Sequence, residues 1–162
     1  AEEGIRALAR GLPRIAADPR NIEARGDALY GAWLAGMSLG AVGMALHHKL
    51  CHTLGGSFNL PHAEIHTIVL PHAIAYNRAA APHAMARITA ALGANDAADG
   101  LYDLAARLGA PLALKEIGLK EQDLNHAAEI ATRNPYYNPR PVTREGIRRL
   151  LDDAFHGRRP AA

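Results

Sequence analysis

The sequence predicts an all-α domain, a helical bundle, and three observations carry that expectation. Apolar residues recur at spacings of three and four, and no stretch alternates strictly in twos. Gly, Pro, Asn and Asp punctuate the periodic runs where helices stop or start. Ile5, Leu8, Leu12 and Ile15 form an amphipathic stripe in a first helix over Glu2–Ala17. Asp18-Pro19-Arg20 ends it. Asn21 can cap a second helix that runs through Trp33 and Met37 toward Leu50 and is broken by Gly55-Gly56. Leu60-Pro61 opens a third, with proline tolerated in the first turn, a pause near Pro71 and an end near Asn77. Helices over Pro82–Leu92 and 96–108 follow, closed by Gly93 and by Gly109 with Pro111. A sixth covers 120–132, and Thr143 caps a seventh that reaches about Phe155. Between them Asn134-Pro-Tyr-Tyr-Asn-Pro-Arg-Pro141 is Pro-rich, aromatic and not helical. The expectation is one helical domain over residues 1–156 and a frayed tail over 157–162.

Composition narrows the function classes. A chain of 162 residues with 49% hydrophobic content can bury one real core. Its net charge of +2 is too small for an electrostatic nucleic-acid binder. Arg144, Arg148, Arg149, Arg158 and Arg159 gather near the C-terminus, but Leu150 and Leu151 follow Arg148 and Arg149, as on the solvated face and last turn of a helix. The single Cys51 excludes an internal disulfide and suits a reducing, cytoplasmic compartment. It reads as an inert buried thiol, with His52 the one neighbour that could activate it. Glu2, Glu3 and Arg6 stand where a secretory signal needs an apolar run. Residues 28–46 carry no charge and contain Gly36-x-x-x-Gly40, a small-residue packing pattern, yet they are mostly Ala, Gly, Met and Ser. Such residues offer little apolar area to lipid, so a central helix hugged by its neighbours is expected, with no membrane partner.

The histidines carry the chemistry. Six of nine (His47, His48, His52, His62, His66, His72) fall between residues 47 and 72, where an even spread would place roughly one or two. His48 and His52 are four apart and share a helix face, and His62 and His66 repeat the spacing on the next helix. A turn at Gly55-Gly56 would let the two helical ends converge. Neutral imidazoles on converging rigid elements suit a borderline divalent metal, and a histidine there also suits general acid work. A catalytic metal takes about three protein ligands, often with a carboxylate. Glu64, two residues from His62, lies on another helix face, so further ligands must come from elsewhere. His83, His126 and His156 show no such pattern and read as surface residues.

Residues 47–77 contain His-x-x-x-His-x-x-Gly, then Pro-His, then Leu-Pro-His followed by Tyr-Asn. This frame resembles the iron-containing (group III) alcohol dehydrogenase family, and the likeness runs over nearly the whole chain, with Asn138-Pro139-Arg140 also fitting. The run His-His-Lys-Leu-Cys-His-Thr-Leu-Gly-Gly and the Pro-His-Ala-Glu segment are similar to its maleylacetate reductase branch. The resemblance implies metal ligation by His48 and His62, with His52 beside the nicotinamide and substrate as the proton-handling group. It implies reduction of maleylacetate to 3-oxoadipate with NADH or NADPH in aromatic-compound degradation. Lys49, His66, Tyr136 and Tyr137 become candidate contacts for the dicarboxylate substrate.

Family members are about twice this long. Their N-terminal nucleotide-binding domain and an upstream ligand pair, Asp and His, have no counterpart here, so the chain is expected to be a C-terminal portion working with that domain, in a homodimer. The branch often carries Asn at the upstream Asp position, which leaves bound iron or zinc open. Two other readings stay open: an iron- or zinc-dependent dehydrogenase of simple alcohols or hydroxy acids, and a non-catalytic helical metal-binding module.

Overall fold

A computed structural model describes residues 1–161, in which eight α-helices and three short 3₁₀ turns follow one another with no strand among the described residues. The all-α expectation holds. Helices α1 (Glu2–Ala17) and α2 (Ile22–Ala41) form an antiparallel hairpin. Asn21 caps α2 as expected, its side-chain oxygen accepting from the Ala24 amide at 3.0 Å. Glycine sets how close the two helices lie. A Cβ on Gly11 would stand 2.9 Å from the Ala24 carbonyl oxygen, and one on Gly31 would stand 2.9 Å from that of Gly4. Arg10 locks the seam from outside with two bonds to the Asp27 carboxylate, at 2.9 and 2.7 Å.

The small-residue pattern at Gly36-x-x-x-Gly40 plays no such part, because nothing lies within 4 Å of a Cβ built at either glycine. Nor is α2 a central helix. It buries one face on α1 and leaves Leu29, Tyr30, Trp33, Met37 and Leu39 exposed.

The second expected helix is in fact two. Val42 is extended (φ −133°, ψ 162°), and α3 (Leu46–Phe58) departs from α2 at 98°. No single helix is long and apolar enough to cross a membrane. The bend has a packing reason: Leu46, Leu50, Cys51 and Leu54 make one buried face of α3 that must meet α4 (His62–Asn77). Gly55-Gly56 does not end α3; the helix runs on through Ser57 and Phe58 and stops at Asn59, which adopts the left-handed conformation (φ 52°, ψ 38°). Pro71 does not interrupt α4 either. Helices packed around α4 outweigh the one hydrogen bond that proline removes.

The remaining helices are α5 (Pro82–Leu92), α6 (Ala97–Arg107), α7 (Leu124–Thr132) and α8 (Arg144–His156). The sixth expected helix starts late, after a 3₁₀ turn at Glu121–Asp123, and a further 3₁₀ turn at Leu114–Ile117 has no counterpart in the sequence expectation. Leu50, Leu54, Ile65, Val69, Leu124, Ile147 and Leu151 knit α3, α4, α7 and α8 into one core. Each such side chain contributes about 1.5–3 kcal/mol through burial. Residues 157–160 are not frayed. Tyr102 donates to the Gly157 carbonyl at 2.8 Å, Arg158 and Arg159 pair with Asp152, Asp153, Asp99 and Asp103, and Pro160 is buried. Ala162 lies outside the described residues.

Candidate active site

The turn between α3 and α4 builds the site. Asn59 in its left-handed conformation, buried Leu60 and extended Pro61 (φ −64°, ψ 126°) reverse the chain within three residues. The helical faces bearing His48/His52 and His62/His66 thereby converge, and His47 joins them. The His62 and His66 Nε2 atoms are 3.1 Å apart. The His48 ring centre lies 5.2 Å from that of His66 and 6.1 Å from that of His52, and His52 stacks parallel to His62 at 6.5 Å. His47 turns inward, its Nε2–H donating to the His66 carbonyl at 3.1 Å, and so fixes where α4 lies against α3.

Electrostatics keep part of this cluster neutral. Burial lowers the pKa of His48, helped by the charges His52 and His62 would carry. Burial likewise lowers that of His66, ahead of the influence of His62, His48 and His52. Burial drives His47 down to about 4, against its hydrogen bond to His66. Cys51, wholly buried beneath the cluster, is pushed up to about 12 by burial, which makes it the inert thiol expected.

Imidazole nitrogens 3.1 Å apart are a donor pair that a divalent cation can take. Two nitrogens each about 2.1 Å from a common ion stand about 3.0–3.4 Å apart in octahedral or tetrahedral geometry. His62 and His66 therefore stand at the spacing of two ligands of one ion, whereas His48, its ring centre 5.2 Å from that of His66, would have to turn in to join them, and none of these residues is a carboxylate. His52 and His62 are exposed, so the cluster opens to one side, where groups from elsewhere can complete it. Geometry also brings together His47, Cys51 and His66, whose ligand atoms lie within 4.8 Å of one another. That spread is too wide for one coordination sphere without movement.

Tyr136 reaches the cluster from 84 residues away, its hydroxyl 3.3 Å from His52 Nδ1. Lys49 Nζ lies 5.5 Å over the Tyr136 ring. Tyr137 is not brought in; its side chain is 85% exposed. What holds Tyr136 in place is a clamp the sequence reading did not assign. Asn77 and Asn138 exchange side-chain hydrogen bonds at 3.0 and 2.7 Å, and the Tyr76 hydroxyl donates to the Pro141 carbonyl at 2.7 Å. Arg140 donates to the Tyr76 carbonyl at 3.1 Å and stacks 4.2 Å over its ring. The Tyr-Asn pair closing α4 and the Asn-Pro-Arg triplet were both visible as sequence features, but nothing in one dimension says they bind each other. His72, counted with the histidine group by sequence, lies apart from it, buried (3% exposed) further along α4.

A model of the C-terminal part of the Fe-containing alcohol dehydrogenase family matches residues 1–155. The chain is 57% identical to a maleylacetate reductase of Burkholderia cepacia over 161 residues, covering 99% of this chain and 46% of that protein. It is 59% identical to that of Sphingobium indicum over 160 residues, again 99% and 46%. The crystal structure of maleylacetate reductase from Agrobacterium tumefaciens superposes with a TM-score of 0.95 at 55% identity, covering 98% of this chain and 45% of that one. The chain thus spans a little under half the length of these relatives. With the histidine frame, the helical fold and the family match over nearly every residue in agreement, the chain belongs to the iron-containing alcohol dehydrogenase family, as its C-terminal helical part.

Proposed function

We propose that this chain supplies the proton-handling and oxyanion-facing half of a maleylacetate reductase, with His52 as the catalytic residue. The single observation that carries this reading is the open histidine cluster with Tyr136 set against His52. The nicotinamide cofactor, NADH or NADPH, is held by the N-terminal part of the enzyme and supplies the hydride. When hydride adds to the alkene carbon conjugated to the ketone, the electron pair moves onto the ketone oxygen as an enolate. His52 donates a hydrogen bond or proton there, and net addition of hydride and proton gives the saturated keto acid. Tyr136 orients the His52 ring through Nδ1, leaving Nε2 for the substrate. His48, His62 and His66 hold the oxygen side, directly or through a divalent metal that would polarise the carbonyl. Lys49 adds positive charge for a carboxylate of the substrate. A nucleotide-binding domain, a homodimeric assembly and a cytoplasmic setting belong to the same proposal.

In the full-length enzyme, His52→Ala should lower maleylacetate turnover by about 10²–10⁴-fold, followed as NADH or NADPH oxidation. Near-normal turnover would sink the assigned role. A second reading, a metal-dependent dehydrogenase of simple alcohols, is favoured by the 3.1 Å His62–His66 contact. A substrate panel run after chelation and after adding back iron or zinc separates the two. Alcohol oxidation restored by metal, with no turnover of maleylacetate, selects the second reading.

A further inference from the structure

Further along α4 the structure holds a cavity of about 220 Å³ between α4, α8, Arg140 and Ala161. Its wall includes His72 and Tyr76 of α4, Arg140, and Arg149 and Asp153 of α8. His72 is ten residues from His62, about 15 Å along the helix axis, and no residue of this wall belongs to the imidazole cluster.

Three features of the wall ask for an anion. Arg149 is exposed and makes no ion pair among the described residues, whereas Arg148 beside it pairs with Asp152. Arg140 spends one N–H on the Tyr76 carbonyl and keeps others free to donate. His72 has a ring nitrogen, Nε2, fully buried with no hydrogen-bond partner. The one opposing charge among the described residues of the wall, Asp153, is offset by Arg158 at 3.0 Å. Burial holds His72 neutral, with a pKa of about 4, against the pull of Asp153, so the ring keeps one N–H and one lone pair. The volume falls below the roughly 300–1,000 Å³ of sites for larger organic ligands. It suits an ion or a very short acid.

We propose that this cavity is a binding site for a small oxyanion, inorganic phosphate or a short carboxylate, gripped by the Arg149 and Arg140 guanidinium groups beside His72. Planar guanidinium forks match both anions, and the charge-assisted bonds they make are the strong ones. The site is separate from the reductase chemistry and stands or falls without it.

The test uses the full-length enzyme with labelled histidine, titrated separately with inorganic phosphate and with acetate. The His72 ring resonance is followed, assigned by its loss in His72→Gln. A saturable shift is expected, with a midpoint raised about tenfold or more in Arg149→Ala and less in Arg149→Lys, which keeps the charge but loses the fork. The midpoint should be unchanged in His52→Ala, and turnover without added anion should be unchanged in Arg149→Ala. Response to phosphate alone, to acetate alone or to both names the anion and supports the site. No saturable shift with either anion overturns it. So does an equal midpoint in wild type and Arg149→Ala, which would mean an adventitious ion only.

Discussion

His72 shows how one buried side chain ties stability to pH. Burial lowers its pKa in the folded state from 6.5 to about 4. Above pH 6.5 neither the folded nor the unfolded chain protonates it, and it has no effect. Between pH 6.5 and 4 the unfolded chain takes up a proton that the folded chain refuses, so stability falls as pH falls, by about 3 kcal/mol over the window. His72→Gln should flatten that part of the profile, measured as urea midpoints at pH 7, 5.5 and 4.5. An unchanged slope would assign the acid sensitivity to other groups. At this scale the sequence was informative about identity and poor about environment. The spacing of His48, His52, His62 and His66 announced their convergence, because helix period alone fixes which side chains share a face. It could not separate His72, four residues before Tyr76, from that group, since burial depends on what packs against α4 from elsewhere in the chain. Tyr136 was a bare candidate for the same reason: only Asn138, Arg140 and Pro141, bound to the end of α4, place it at His52.

Among elements, the α1–α2 hairpin is governed by glycine, and the glycines are not equivalent. Gly31→Ala places a methyl 2.7 Å from Leu8 Cγ and 2.9 Å from the Gly4 carbonyl oxygen, so the helices must separate. The expected cost is about 1–3 kcal/mol in unfolding free energy. Gly36→Ala, with nothing within 4 Å, should instead stabilise by about 0.5–1 kcal/mol, because alanine gives up less backbone entropy in a helix. Thermal unfolding of the two variants side by side checks the contrast; a shift of the same sign in both would refute it. Boundaries followed local signals where those agreed with packing. Asn21 and Thr143 cap α2 and α8 as expected, and Asp96, expected as the first residue of its helix, caps α6, each accepting from backbone amides. They failed where packing overrode them. The uncharged Ala- and Gly-rich run through residue 45 carries no periodic break to mark the 98° bend, and Gly55 is kept inside α3, where it faces the His62 ring.

For the whole molecule, the exposed apolar face of α2 is the clearest sign of a missing neighbour. Trp33 is 59% exposed, Leu29 72% and Met37 56%, on a chain spanning 46% of its relatives' length. Contiguous apolar surface of this kind marks an interface. We expect the remainder of the enzyme, or a second subunit, to cover it. Trp33→Glu in the full-length enzyme should then cost about 2 kcal/mol or more. A change within about 0.5 kcal/mol, typical of a surface substitution, would mean the face stays open. The clamp between the end of α4 and the 138–141 segment has a consequence of another kind. It closes a circuit of some sixty residues, holding α5, α6 and α7, whose two ends are pinned by side chains and not by chain length. Loop-closure entropy grows only with the logarithm of loop length. Extra residues spliced in near Gly93 or Gly109, both at helix ends, would therefore leave the Tyr136 phenol where it stands. The circuit is a natural insertion port: a place where relatives can gain or lose length, or an engineer can graft a second domain, without re-tuning the reaction centre.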